Sequence, residues 1–211
     1  MPATHAKLAW SDEFNNRRGA PPDASKWTFD LGGGGWGNHE LEIYTRSPAN
    51  IFQDGEGHLV IRAVKTLARN FTSARIKTLG KYSVKYGKIE ARMKIPFGQG
   101  MWPAFWMLGA NIDAVGWPRC GEVDVVENIG KEPSIVHGTV HGPQYFGKDS
   151  ITSQHSLPAG RALSDDFHVY AVDWSPNSIK FFFDGAAYAT VTPASLPKAR
   201  SGSLIIHSFC C

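Results

Sequence analysis

The 211 residues are 42% hydrophobic and 19% charged, enough apolar material for one sizeable core, while a net charge of +3 with no dense basic run excludes a nucleic-acid surface. Three cysteines, Cys120, Cys210 and Cys211, two of them adjacent, offer neither a paired disulfide framework nor a metal-knuckle spacing. No apolar run approaches the roughly 20 residues that cross a bilayer, and the opening MPATHAKLAW lacks a basic-then-apolar export pattern, so a soluble chain without membrane association or signal peptide is expected.

In chain order, β-rich runs bounded by Gly, Pro, Asn, Asp and Ser recur: SKWTFDL, LEIYT, HLVIRAV, YGKIEARMKI, AFWML, EVDVVE, SIVHGTVHG, HVYAVDW and SIKFFFDGAAYATVT. They predict an all-β fold. No linker or repeat divides residues 1–211, so a single domain is expected. Gly32–Gly35, in LGGGGWGN, admits two readings: a flexible connector, or a loop bent close around a ligand that presents Trp36 and Asn38. A phosphate cradle fits poorly, because no GK[ST] follows. In GKIEARMKI, Ile89, Ala91, Met93 and Ile95 alternate with Lys88, Glu90, Arg92 and Lys94, giving one face to a core and one to water, as in a sandwich. Asp184-Gly185, between two β-rich runs, predicts a type I′ hairpin.

The segment GEVDVVENIG sets Glu122, Asp124 and Glu127 among valines. On a regular strand Glu122 and Asp124 share a face and Glu127 falls on the other. A β-bulge between Asp124 and Glu127 would return the third acid to the first face. A row of acids raises its own pKa values and is unfavourable unless used. Two carboxylates about 5 to 5.5 Å apart are what a retaining glycosidase needs, one to attack the anomeric carbon and one to protonate the leaving oxygen. A solvated edge strand or a calcium site are the alternatives from the acids alone. Trp102, Phe105 and Trp106, just upstream in GMWPAFWMLG, either stack on sugar faces or belong to the core.

WSDEFN, GWGNHELEIYT, SARIKT, YGKIEARMKIPFGQGMWPAFWMLG, GEVDVVE and VHGTVHGP together resemble glycoside hydrolase family 16 in its laminarinase-like branch, from about Leu8 to about Leu196. The resemblance implies a β-jelly roll, a concanavalin A-like pair of antiparallel sheets with a concave cleft, and retaining cleavage inside β-1,3-linked glucans. It implies Glu122 as nucleophile, Glu127 as general acid/base and Asp124 as the residue that tunes them. It places Trp102 and Trp106 along the sugar subsites, Asn38 and Trp36 on the glycone side, His141 beside Glu127, and Arg75 as a sugar-hydroxyl donor, with a surface salt bridge as the alternative for Arg75. The E-x-D-x-x-E spacing argues against the lichenase and xyloglucan-modifying branches. Agarase-like or carrageenase-like hydrolysis, a non-catalytic glucan-binding module and an inactive fragment are the other readings. A β-glucan is the expected partner, for a monomer acting outside the cell or in the periplasm. No cofactor is required and no metal is assigned; a structural calcium involving Glu13 belongs to the family but is not adopted for this chain.

After TVTPASLP the chain departs from the family, reading KARSGSLIIHSFCC where WVFDHPFFLLLN is usual. Re-read one base out of register, Ser201–Cys211 can encode WVFDHPFFLL: Ser-Gly as TCT-GGG yields TGG for Trp, and Ile-Ile-His as ATC-ATC-CAT yields CAT and CCA for His and Pro. A frameshift near Lys198–Ser201 is therefore expected, leaving residues 198–211 an out-of-frame tail without function and the last strands missing. Exposed sheet edges and poor solubility would follow.

Overall fold

The computed structural model describes residues 7–67 and 70–196, together with the backbone of a short strand at Phe209–Cys210. Every β-rich run predicted above contains a strand, and the chain resolves into two compact units, one through Tyr82 and one from Ser83. Among the described residues no helix is long and apolar enough to cross a membrane.

Among its described residues the first unit holds seven short strands, β1 (Thr28–Asp30), β2 (Glu42–Tyr44), β3 (Ile51–Gln53), β4 (Leu59–Ile61), β5 (Val64–Lys65), β6 (Phe71–Ser73) and β7 (Arg75–Lys77). β1 pairs with β7, β3 with β4, and β6 lies between β5 and a parallel β2. Trp10 packs between Trp27, edge-on at 5.4 Å, and Tyr82, stacked at 5.7 Å. The four-glycine segment is not a loose connector. A bridge between Gly32 and Tyr44 closes it, and the Asn38 and Glu40 amides both donate to the Gly35 carbonyl. Gly32, Gly34, Gly35 and Gly37 take φ between 80° and 102°, which is why glycine fills this turn.

The second unit begins with β8 (Gly87–Met93) and β9 (Ala104–Gly109), and a one-turn helix α1 (Ile112–Val115) follows. It continues through β10 (Glu122–Glu127), β11 (Ile135–His141), β12 (Ile151–Ser156), β13 (His168–Ser175), β14 (Ser178–Phe183), β15 (Ala186–Val191) and β16 (Phe209–Cys210). Two antiparallel sheets form, ordered β12-β11-β10-β9-β16 and β15-β14-β13-β8. Val123, Val125, Val126, Val136, Val140 and Met107 from the first meet Tyr170, Val172, Trp174, Ile179, Phe181 and Phe183 from the second in one core. The alternation read in β8 holds: Ile89 and Met93 pack on this core while Lys88, Glu90 and Arg92 are exposed. Asp184 and Gly185 both take positive φ, 47° and 80°, as a type I′ hairpin requires between β14 and β15.

The C-terminal tail expected to be out of frame lies outside the described residues except for β16. Phe209 pairs with Gly109 and Cys210 with Leu108 along the edge of β9. Backbone pairing needs only an extended segment and an open edge, and is indifferent to which side chains the segment carries.

Candidate active site

β10 carries the acid row. Its faces read out, in, out, in, in, out: Val123, Val125 and Val126 are each at most 1% exposed, while Glu122 and Glu127 are half-buried. Against β9, Glu122 pairs with Leu108, Val123 with Met107, Asp124 with Trp106, Val126 with Phe105 and Glu127 with Ala104. Val125 is the extra residue. The register also shifts between Asp124 and Glu127 against β11. The bulge expected from the spacing is present, and all three acids share one face because two consecutive valines serve the core.

Each outer acid is held by an indole on a loop. Trp102 Nε1 donates to Glu127 Oε1 at 3.0 Å, and Trp117 Nε1 donates to Glu122 Oε2 at 2.6 Å. Both loops are placed by close backbone approach at a glycine. A β-carbon on Gly130 would run into the Gly98 carbonyl, and Gly130 N–H donates to the Met101 carbonyl at 2.9 Å, next to Trp102. A β-carbon on Gly109 would run into the Cys120 carbonyl, where the segment bearing Trp117 returns to β10. Thr139 Oγ1, opposite Asp124 on β11, lies 3.5 Å from Glu127 Oε2.

Asp124 is the deepest of the three, at 3% exposed, and shares a hydrogen bond with Glu122. Burial first, and then the negative charge of Asp124, push Glu122 up to about 8; His141 and the Trp117 N–H pull the other way. Burial, followed by the charge of Glu127, raises Asp124 well above the carboxylate range. The pair therefore keeps one proton between its members. The proton belongs to the pair, and the Trp117 N–H and His141 favour the ionised form of Glu122.

His141 Nε2 lies 3.2 Å from Asp124 Oδ2, close enough for an ion pair but not aligned for a hydrogen bond. This corrects the expected place of His141 beside Glu127. β11 runs antiparallel to β10, so His141 falls opposite Glu122, and His137 falls opposite Glu127. His137 is tied to Glu132 Oε2 and Gln154 Nε2, each at 3.2 Å. Glu122, Asp124 and His141 bring one ligand atom each to within 4.8 Å of one another, the one grouping of this kind among the described residues, and it does not involve Glu13.

Over residues 39–201 the sequence matches the pattern of glycosyl hydrolases family 16. The chain belongs to that family. It is 42% identical to a β-glucanase of Rhodothermus marinus over 190 residues, covering 88% of this chain and 65% of that protein. It is 39% identical to a glucan endo-1,3-β-glucosidase of Cryptopygus antarcticus over 193 residues, with 87% and 68% covered. The chain thus spans about two thirds of the length of these curated relatives. The laminarinase catalytic domain from Thermotoga maritima superposes with a TM-score of 0.86 at 40% identity, over 97% of this chain and 84% of that one. The all-β jelly-roll fold of family 16 is thereby established for this chain.

The other residues singled out from the sequence fall as follows. Trp106 stands on the face of Asp124, and Phe105 on the core face. In the first unit, Arg75 Nε pairs with Asp30 Oδ2 at 3.0 Å and its guanidinium lies 4.9 Å over the Trp36 ring, so it orients that indole. Trp36 Nε1 donates to the Gly32 carbonyl at 3.2 Å, and Asn38 Nδ2 to Glu40 Oε1 at 3.2 Å. Trp117 was missed, though GWPRCGEVD carries, five residues before Glu122, the same Trp-Pro pair as Trp102-Pro103. Thr139 and Phe146 carried no signal at all; one is an ordinary strand residue and the other an ordinary loop aromatic.

Proposed function

We propose that this chain cleaves internal β-1,3-glucosidic bonds of laminarin-type glucans with retention of configuration. The observation that carries the reading is the bulge at Val125, which sets Glu122 and Glu127 on one face, each held by its own indole N–H. Glu122 attacks the anomeric carbon as the bond to the leaving oxygen breaks, and Glu127 gives its proton to that oxygen. Glu127, now a carboxylate, takes a proton from water, whose oxygen attacks the same carbon and releases Glu122. Asp124, which shares a proton with Glu122, spreads the charge that the nucleophile regains. The names of the relatives, a β-glucanase and a glucan endo-1,3-β-glucosidase, support the substrate class.

On this reading the chemistry uses only side chains and water. One chain suffices, since residues 102–141 supply the acids and their indole donors. A polymer of this kind lies outside the cell, and the protein is proposed to act there. Trp106 would offer a ring face to sugar. Within the first unit, Trp36 carries a ring and Asn38 an amide of the same kind of use.

The test is reducing-sugar release from laminarin, mixed-linkage glucan, agarose and carrageenan, by the wild type and by Glu122→Gln, with the anomer first released read by NMR. Release from laminarin as the β-anomer, lost in Glu122→Gln, is expected. Preferential cleavage of agarose or carrageenan, or glucan binding without any cleavage, would replace this reading with a galactan hydrolase or a binding module.

A further inference from the structure

The side of the acid pair that meets β11 is left unsatisfied. Asp124, 3% exposed, has no hydrogen-bond partner at Oδ2 among the described residues, and His141 Nε2 lies 3.2 Å from that oxygen but out of line for a hydrogen bond. His141 Nδ1 is likewise buried without a partner. Buried polar atoms left in this way are unfavourable unless a further group completes them.

Glu122 makes the pair a trio. One carboxylate oxygen from each acid and a ring nitrogen of His141 lie within 4.8 Å of one another. In a tetrahedral zinc site, bonds of about 2.0 to 2.2 Å put neighbouring ligand atoms about 3.4 Å apart. The 3.2 Å between Asp124 Oδ2 and His141 Nε2 matches one edge of that tetrahedron, and Glu122, half-buried, has room to bring in the third corner. Strand pairing sets this arrangement: Glu122 and His141 are directly opposed in the register of β10 and β11, and Asp124 follows two residues on along the same face. Trp117, edge-on to Phe146 at 5.3 Å, supports the Glu122 carboxylate from outside the trio through its 2.6 Å hydrogen bond.

The donor set selects the ion. Calcium takes about six to eight oxygens and magnesium an octahedron of them. One imidazole and two carboxylates suit zinc, with water in the fourth place. Because His141 Nδ1 lacks the hydrogen bond that supports the histidines of resident zinc sites, the ion held here exchanges with solution.

We propose that Glu122, Asp124 and His141 form an exchangeable zinc site, and that the ion, by occupying the nucleophile, blocks glucan cleavage reversibly. The block on cleavage rests on the glucanase reading above; the binding does not.

The probe is zinc chloride, titrated calorimetrically into the full chain after dialysis against EDTA. The wild type is expected to bind an ion that His141→Phe and Glu122→Gln each bind at least about tenfold more weakly. His137→Asn, which changes a ring tied to Glu132 and Gln154, should bind it as the wild type does. Calcium chloride at the same concentrations should not displace the zinc. In laminarin hydrolysis, zinc at ten times its Kd should raise KM about tenfold at unchanged kcat, and EDTA should reverse the effect. Glu122→Gln, which keeps the side-chain shape, decides the matter should His141→Phe not fold. No binding by the wild type up to millimolar zinc, or equal binding by the wild type and both variants, would overturn the site. Inhibition that lowers kcat at unchanged KM would overturn the block at the nucleophile. If the wild type binds zinc at this trio yet cleaves no laminarin, the site stands and it is the glucanase reading that fails.

Discussion

Replacing Glu122 with glutamine keeps the shape of the side chain and removes a charge that the fold tolerates poorly. Burial and the Asp124 charge move its pKa from 4.5 to about 8. This is more than a thousandfold in proton affinity, and at about 1.4 kcal/mol per tenfold it sets a ceiling of about 4 to 5 kcal/mol. The folded protein binds this proton more tightly than the unfolded chain, so its contribution is fully present below about pH 4.5 and is lost as pH rises through about 8. Asp124 shares the proton, so about 2 kcal/mol of that ceiling is expected between pH 5 and 8. For a domain of this size that is roughly 4 to 8 °C in Tm. Thermal melts of wild type and Glu122→Gln at intervals across this range should diverge, the wild type losing Tm with pH relative to the variant. Laminarin hydrolysis should fall at least about a thousandfold in the variant. Parallel Tm profiles, with a constant offset at every pH, would refute the claim that Glu122 is buried at a cost in its charged form.

Trp117→Phe keeps the ring but removes the 2.6 Å donor to Glu122, so the nucleophile's pKa should rise. The acidic limb of kcat/KM against pH should then move up by about one pH unit, while the basic limb stays in place. Gly138→Ala would drive a methyl group into Tyr188 Oη and the Phe181 ring, and chemical denaturation should show a loss of about 2 to 3 kcal/mol. Deleting Val125 removes the bulge yet leaves Glu122, Asp124 and Glu127 on one face of a regular strand. The variant should fold, about 1 to 3 kcal/mol less stable for the lost valine, with residual laminarin hydrolysis above that of Glu122→Gln. Complete loss of activity in a well-folded deletion variant would show that the bulge sets more than the facing of the acids.

Much of the site was legible because its signals are local. The spacing in EVDVVE can place three acids on one face only through an inserted residue, and the structure puts that residue at Val125. The Asp184-Gly185 turn and the alternation in β8 are likewise properties of neighbouring residues. What the turn adds was not legible: Asp184 Oδ1 accepts the Val169 N–H at 2.8 Å, and Oδ2 lies 2.7 Å from His168 Nδ1, tying the hairpin tip to the start of β13. β3, β6, β7 and β12 were not singled out as strands. ITSQHS in β12 has weak strand propensity and is extended because β11 supplies its partners from Ile135 to Val140. The parallel pairing of β2 with β6, Glu42 with Phe71 through Tyr44 with Ser73, joins segments whose sequences carry no mark of each other.

The sequence by itself determined the all-β character, the identity of the three acids and their common face, since each follows from side-chain alternation and one break in it. Only the tertiary structure decided which groups surround those acids. It put His141 on Asp124 and not on Glu127, gave Glu122 its indole donor, and ranked Asp124 as the deepest carboxyl. The reason is physical: a pKa depends on burial and on charges within a few ångströms, and those neighbours come from β9, β11 and two loops, brought to β10 by strand pairing and by backbone contacts at Gly109 and Gly130.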